Sequence, residues 1–169
     1  ALAAGCAVVL KPDHRTPFTA LYMAKLAQEA GLPKGVLNVV TGDAAMIGEV
    51  LCTHNLVRKI SFTGSTRVGR ILLAQCAPHV KKLSLELGGN APFIIFGSTD
   101  VDTAVREALV AKLRNGGQSC VAANRFYVDE SLHDEFVDKL AQELAKVKQG
   151  NGRDEDAIVG TLIDEAAVA

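Results

Sequence analysis

The stretch Val57-Arg58-Lys59-Ile60-Ser61-Phe62-Thr63-Gly64-Ser65-Thr66-Arg67-Val68-Gly69-Arg70-Ile71-Leu72 decides the fold. Val57 to Phe62 is a short run rich in β-branched and aromatic residues, which reads as a strand. Thr63-Gly64-Ser65 turns the chain. Val68, Ile71 and Leu72 then recur at i, i+3 and i+4, the spacing of one helix face. The same order occurs twice upstream. Ala7 to Leu10 is a strand closed by Lys11-Pro12, and Thr16-Pro17 opens a helix with Thr as N-cap and Pro at the first position. Met23, Leu26, Ala27 and Ala30 are its expected buried face. Val36 to Val40 is a strand, Thr41-Gly42-Asp43 a turn, and Ile47, Val50 and Leu51 lie on a shorter helix. Three strand–helix units in succession predict an α/β fold, a Rossmann-like parallel sheet with flanking helices.

Downstream, Lys82 to Glu86 and Pro92 to Phe96 are two further strands, separated by Leu87-Gly88-Gly89-Asn90. Asp100 begins a helix with Val101, Ala104, Val105 and Ala108 on one face. Arg125 to Val128 is a strand, and Ser131 is the expected cap of a last helix bearing Phe136, Val137, Leu140, Leu144 and Val147. The strand–helix rhythm stops just before Gly88-Gly89, so the expected division is 1–87 and 88–169. The second part is the start of another α/β domain.

The bulk numbers bound the function. Eighteen basic and 19 acidic residues give a formal net charge of −1, which makes no electrostatic case for nucleic acid or an anionic membrane. No apolar run approaches the length of a membrane span. Cys6, Cys52, Cys76 and Cys120 are widely spaced and form no C-x-x-C pair, so neither a zinc site nor a disulfide framework is expected. Free thiols fit a reducing compartment. The chain reads as an interior segment of 169 residues without a signal peptide, and the expected location is cytoplasmic or the mitochondrial matrix.

Five features carry candidate chemistry. Cys120 sits in Asn115-Gly116-Gly117-Gln118-Ser119-Cys120, where glycines let backbone N–H groups approach a substrate; it is a candidate nucleophile. The plainer reading is an inert small hydrophobe. Gly64 and Ser65 open a helix whose first-turn N–H groups suit an anion such as pyrophosphate, although an ordinary capped helix start has the same look. Lys11-Pro12-Asp13-His14 follows a strand at its carboxyl end, where ligands of parallel sheets bind; a solvated lysine is the alternative. Glu86, flanked by leucines, is a general base if enclosed in an apolar pocket, or one wet position of an alternating strand. Arg114 either clamps a carboxylate or favours a helix C-terminus. His14, His54, His79 and His133 have no metal-ligand spacing, and no metal is expected.

Taken in order, Leu2-Ala3-Ala4-Gly5-Cys6 through Leu10-Lys11-Pro12, Phe62-Thr63-Gly64-Ser65-Thr66, Leu85-Glu86-Leu87-Gly88-Gly89 and Gly117-Gln118-Ser119-Cys120 resemble the aldehyde dehydrogenase superfamily over the whole chain. Leu83 to Phe93 and Lys112-Leu113-Arg114-Asn115 are similar to the succinate-semialdehyde, or glutarate-semialdehyde, group. The resemblance implies NAD or NADP as cofactor, a semialdehyde with a distal carboxylate as substrate, and a homo-oligomer at full length. It makes Cys120 the nucleophile and Glu86 the base. It puts Lys11 with its neighbours Pro12, Asp13 and His14 at the adenosine ribose, Gly64 and Ser65 at the pyrophosphate, Leu87 near the nicotinamide and Arg114 at the substrate carboxylate.

Where many members have a second cysteine this chain has Ala122, so a redox switch there is not expected. His14 stands where an acid often contacts the ribose 2′-hydroxyl, which admits NADP, with Asp13 beside it. An oxyanion-binding asparagine of the family lies outside the segment, and the segment alone is expected to turn over little substrate. A different aldehyde, or a non-catalytic nucleotide-binding module, is the alternative function.

Overall fold

The computed structural model describes residues 1–168. The chain divides into two compact units, Ala1–Leu85 and Glu86–Ala169. Glu86 and Leu87, which precede the Gly88-Gly89 pair, group with the second.

The first unit runs β1 (Val8–Leu10), α1 (Pro17–Glu29), β2 (Leu37–Val39), α2 (Ala44–Thr53), β3 (Lys59–Thr63), α3 (Thr66–Cys76) and β4 (Lys82–Glu86), whose last residue begins the second unit. The three strand–helix repeats are present. β1 and β2 are parallel, with Val8 opposite Leu37 and Leu10 opposite Val39. β3 pairs with β4 rather than with β2, so the expected continuous sheet is two separate pairs among the described residues. Side-chain caps set two of the helix starts. Asp43 accepts from the Met46 N–H at 2.7 Å and Ser65 from the Val68 N–H at 3.3 Å. Thr16 makes no such bond, and α1 starts on the preset φ of Pro17.

The core of this unit is Cys52, Leu72 and Cys76, packed by Ile60, Phe62, Val68 and Leu83. Lys81 closes it from the edge: its ammonium donates to the carbonyls of Leu51, His54 and Val57, at the C-terminal end of α2 where a cation is favoured. One expectation fails. No residue of α1 is buried, and Met23 and Leu26 are 62% and 45% exposed. The three-residue strands of β1 and β2 are too small a surface to cover a helix of 13 residues.

The second unit runs β5 (Ala91–Ile95), α4 (Val101–Leu113), β6 (Ala123–Val128) and α5 (His133–Ala145). α4 is the crossover between two parallel strands. Asp100 caps it by accepting from the Thr103 N–H, and hydrogen bonds from the Thr103 side chain and then its N–H hold the Asp100 carboxyl below its usual range. The α4 face Val101, Ala104, Val105 and Ala108 packs with Ile95 and Phe136, as its periodicity predicts. Phe136 is 2% exposed, and burying such a side chain is worth about 2–3 kcal/mol. Ser131 does not cap α5. It lies in a short 3₁₀ turn, Glu130–Leu132, and both its N–H and its hydroxyl donate to Asp129. Asp129, two residues earlier, holds Ser131 in that 3₁₀ turn, and α5 starts at His133. The helix ends at Ala145, so Val147 lies beyond it.

The β5–β6 register slips once. Ala91 faces Ala123 but Pro92 faces Arg125, so Asn124 is an extra residue in β6. Pro92 has no N–H to give to a ladder, which makes this a tolerant place for a bulge.

Candidate active site

In the second unit the chain leaves α4 through Arg114–Gly117, and Asn115, Gly116 and Gly117 all have left-handed backbone, with φ of 55°, 64° and 76°. Gly117 is required on two counts. Its φ disfavours a side chain, and a Cβ there would sit 3.2 Å from the Lys112 carbonyl oxygen. Asn115 tolerates the same region because its amide bonds locally, donating to the Gln118 carbonyl at 3.0 Å. Gln118 returns a bond to the Asn115 carbonyl, and its Oε1 accepts from the Ile163 N–H at 2.8 Å.

This left-handed run delivers the chain into a turn, Ser119 to Ala122, closed by the Ala122 N–H donating to the Ser119 carbonyl at 3.1 Å. Cys120 is its second residue and is exposed. The N–H of that position takes no part in the closing bond of the turn. Ala122 and Ala123 are 2% exposed and anchor the far side of the turn.

The linker after β4 passes this turn. A Cβ built on Gly89 would lie 3.6 Å from the Cys120 carbonyl oxygen, so the Gly88-Gly89 backbone and the cysteine turn are neighbours. Glu86 begins that linker, and its side chain is exposed. Among the described residues nothing encloses it in an apolar pocket. Leu87 is half-buried and Arg114 exposed. A cavity of about 550 Å³ lined by Asn115, Gln118, Thr161, Leu162 and Ile163 adjoins the loop.

In the first unit, Lys11, Pro12, Asp13 and His14 follow β1 at its carboxyl end. Pro12 is buried, Lys11 half-buried, and Asp13 and His14 exposed. Lys11 Nζ donates to the Pro12 carbonyl at 2.9 Å, leaving two of its three donors. Asp13 Oδ1 accepts from the Arg15 N–H at 2.8 Å and holds the turn. Gly64 and Ser65 sit at the carboxyl end of β3. A Cβ on Gly64 would fall 2.4 Å from the tip of the Phe62 ring, itself packed on the core, so glycine is required here by packing. Ser65 is the cap of α3, and no acidic residue stands in that helix's first turn.

Each expected residue is therefore placed within its own unit, and the second unit brings the Glu86 linker to the Cys120 turn. Three polar residues whose role the sequence did not signal join them: Asn124 donates to Asn90 Oδ1 at 3.2 Å, Lys112 donates to Asn124 Oδ1, and Arg125 donates to the Asn90 carbonyl at 3.0 Å. Asn90, beside two glycines, reads as a turn residue, and Asn124 lies at the β-bulge, 34 positions away. Among the described residues no group of three His, Cys, Asp or Glu could hold a metal ion, and no helix is long and apolar enough to cross a membrane.

Comparison with known proteins is uniform. The family model described as "Aldehyde dehydrogenase family" matches residues 1–169. The chain is 57% identical to the NADP-dependent succinate-semialdehyde dehydrogenase GabD of Escherichia coli, over all of this chain and 35% of that protein. It is 56% identical to a glutarate-semialdehyde dehydrogenase of Pseudomonas aeruginosa, with the same coverage. The crystal structure of a succinate-semialdehyde dehydrogenase from Burkholderia pseudomallei superposes with a TM-score of 0.95 at 58% identity, covering 99% of this chain and 35% of that one. The chain thus spans about a third of the length of the relatives it matches.

Proposed function

This chain belongs to the aldehyde dehydrogenase family, and on that premise we propose that the full-length protein oxidises a semialdehyde bearing a distal carboxylate, such as succinate semialdehyde, to the acid with NADP or NAD. Residues 1–85 contribute to a dinucleotide-binding domain and residues 86–169 begin the catalytic domain. The observation that carries the reading is the approach of the Gly89 backbone to the Cys120 carbonyl, with an exposed thiol on one side and an exposed carboxylate three residues along on the other.

The residues fit a dinucleotide. Lys11 keeps spare donors at a strand's carboxyl end, and α3 presents a first turn free of acidic residues at Gly64-Ser65. They would hold the adenosine ribose and the pyrophosphate, with Pro12, Asp13 and His14 beside the ribose and the Leu87 backbone near the nicotinamide. His14 in place of an acid admits the 2′-phosphate of NADP. When bound, the oxidised nicotinamide supplies the hydride acceptor.

The chain's own groups do the rest. The Cys120 thiolate attacks the aldehyde carbon, forming the C–S bond of a thiohemiacetal, and the Cys120 N–H donates to the developing oxyanion. Loss of hydride leaves a thioester on Cys120. Glu86 takes a proton from water, the oxygen adds to the thioester carbonyl, and the C–S bond breaks to return the thiolate and release the acid. Arg114 meets the distal carboxylate.

The test is steady-state kinetics of the full-length protein with succinate semialdehyde and with butanal, a neutral aldehyde of the same length. Cys120→Ser removes turnover of both. Arg114→Leu costs about 1.5–3 kcal/mol in kcat/KM, the scale of a charge-assisted hydrogen bond, for the carboxylated substrate alone. Turnover retained in Cys120→Ser overturns the chemistry, and an equal loss on both aldehydes in Arg114→Leu overturns the substrate class.

A further inference from the structure

We propose that Lys112, Asn124 and Asn90 form a polar brace that fixes the Cys120 loop against the Gly88-Gly89 linker, and so sets the separation at which Glu86 serves the cysteine. The inference rests on the reading of Cys120 and Glu86 given above and names the positioning residues of that same site.

The geometry is a loop pinned at both ends. Lys112 lies in the last turn of α4, before the loop, and Asn124 lies at the start of β6, after it. The Lys112 ammonium donates to Asn124 Oδ1 and closes the loop at its base. The Lys112 stem runs beneath Gly117: a Cβ there would be 3.8 Å from Cε and 4.0 Å from Nζ. Those are ordinary van der Waals distances, and the tight approach is to the Lys112 carbonyl oxygen at 3.2 Å. Asn124 is the extra residue of the bulge, and its side-chain amide meets both partners. Its Nδ2 donates to Asn90 Oδ1 at 3.2 Å. Asn90 immediately follows Gly88-Gly89, and its carbonyl is held again by the Arg125 guanidinium at 3.0 Å. Three residues of chain, Leu87 to Gly89, separate Asn90 from Glu86, so a shift of Asn90 is carried toward Glu86.

The brace is exposed, so it adds little to global stability. Its effect falls on position, and position matters most in the step that needs both groups at once. Forming the thiohemiacetal requires Cys120 alone. Hydrolysis of the thioester requires Glu86, a water and the acyl carbon in line, where a displacement near 1 Å costs up to about 100-fold.

The experiment is rapid-mixing and steady-state kinetics of the full-length protein carrying Lys112→Met, Lys112→Arg or Asn124→Asp. Asn124→Asp keeps an acceptor for Lys112 and removes the donor to Asn90, and it keeps the brace testable if Lys112→Met does not fold. Lys112→Met and Asn124→Asp each lower kcat about 10- to 100-fold, with the aldehyde KM changed less than about twofold. Each shows a pre-steady-state burst of reduced cofactor close to one per Cys120, because release becomes slow. Lys112→Arg restores kcat. A purely structural role would lower burst and kcat together along with the melting temperature, and that result overturns the brace. So do unchanged kcat and burst beside an inactive Cys120→Ser control. An active Cys120→Ser control overturns the underlying reading, and the brace with it.

Discussion

Cys52 and Cys76 in the first unit and Cys120 in the second are the same residue in opposite circumstances. Cys52 is 0% and Cys76 1% exposed, on facing helices around Leu72, and Cys120 stands on a turn in solvent. Burial, then the neighbouring Cys76 thiol, pushes the Cys52 thiol up to about 12, against a pull downward from the Lys81 ammonium. The buried pair is chemically a pair of small hydrophobes that complete a core. The exposed one is a thiol the backbone has left uncovered. The difference teaches that the chemistry of a cysteine follows from what the chain around it buries, and the left-handed run Asn115–Gly117 is the device that keeps Cys120 out of a core.

Iodoacetamide labelling of the native protein breaks or sharpens that contrast most strongly. Cys120 is expected to alkylate more than about 100-fold faster than Cys52 or Cys76, since only locally unfolded molecules expose the latter and opening a core costs several kcal/mol. Cys6, also exposed, reacts as an ordinary surface thiol. Peptide mapping by mass spectrometry checks this, and labelling of Cys52 at the rate of Cys120 contradicts it.

The smaller effect is on stability in alkali. The folded Cys52 holds its proton more tightly than the unfolded thiol does. Its stabilising contribution is full below the unfolded value near 9.0 and is lost as pH rises from there through about 12. Within that window the folded state loses stability steadily as pH rises. Urea unfolding at pH 8 and pH 10 measures it, and Cys52→Ala is expected to flatten the slope; an unchanged slope in that variant places the alkaline lability elsewhere.

What could be read from the sequence follows from range. β4 is found at Lys82–Glu86 as read, and Asp43, Ser65 and Asp100 cap the helices they precede, because a cap is decided within three residues. Ser131 does not cap α5 for an equally local reason: Asp129, two residues earlier, accepts from its N–H and its hydroxyl and holds it in a 3₁₀ turn. The face of α1 was legible as apolar but not as exposed, since periodicity records the capacity to be buried and not the surface that would do it. At the site, Gly116-Gly117 is legible as a place where a substrate approaches and Gly88-Gly89 only as a boundary, and the nearness of Gly89 to the Cys120 carbonyl emerges from the fold. The surroundings of Glu86 and the turn of Asn124 toward Asn90 depend on residues more than 30 positions away, which no local pattern encodes.

The most direct measurement is mass spectrometry of full-length Glu86→Gln protein quenched during turnover of succinate semialdehyde with NADP. The account predicts an acyl group, cleaved by hydroxylamine, on the peptide containing Cys120 and on no other cysteine. An unmodified Cys120, or an acyl group on Cys6, Cys52 or Cys76, would contradict it.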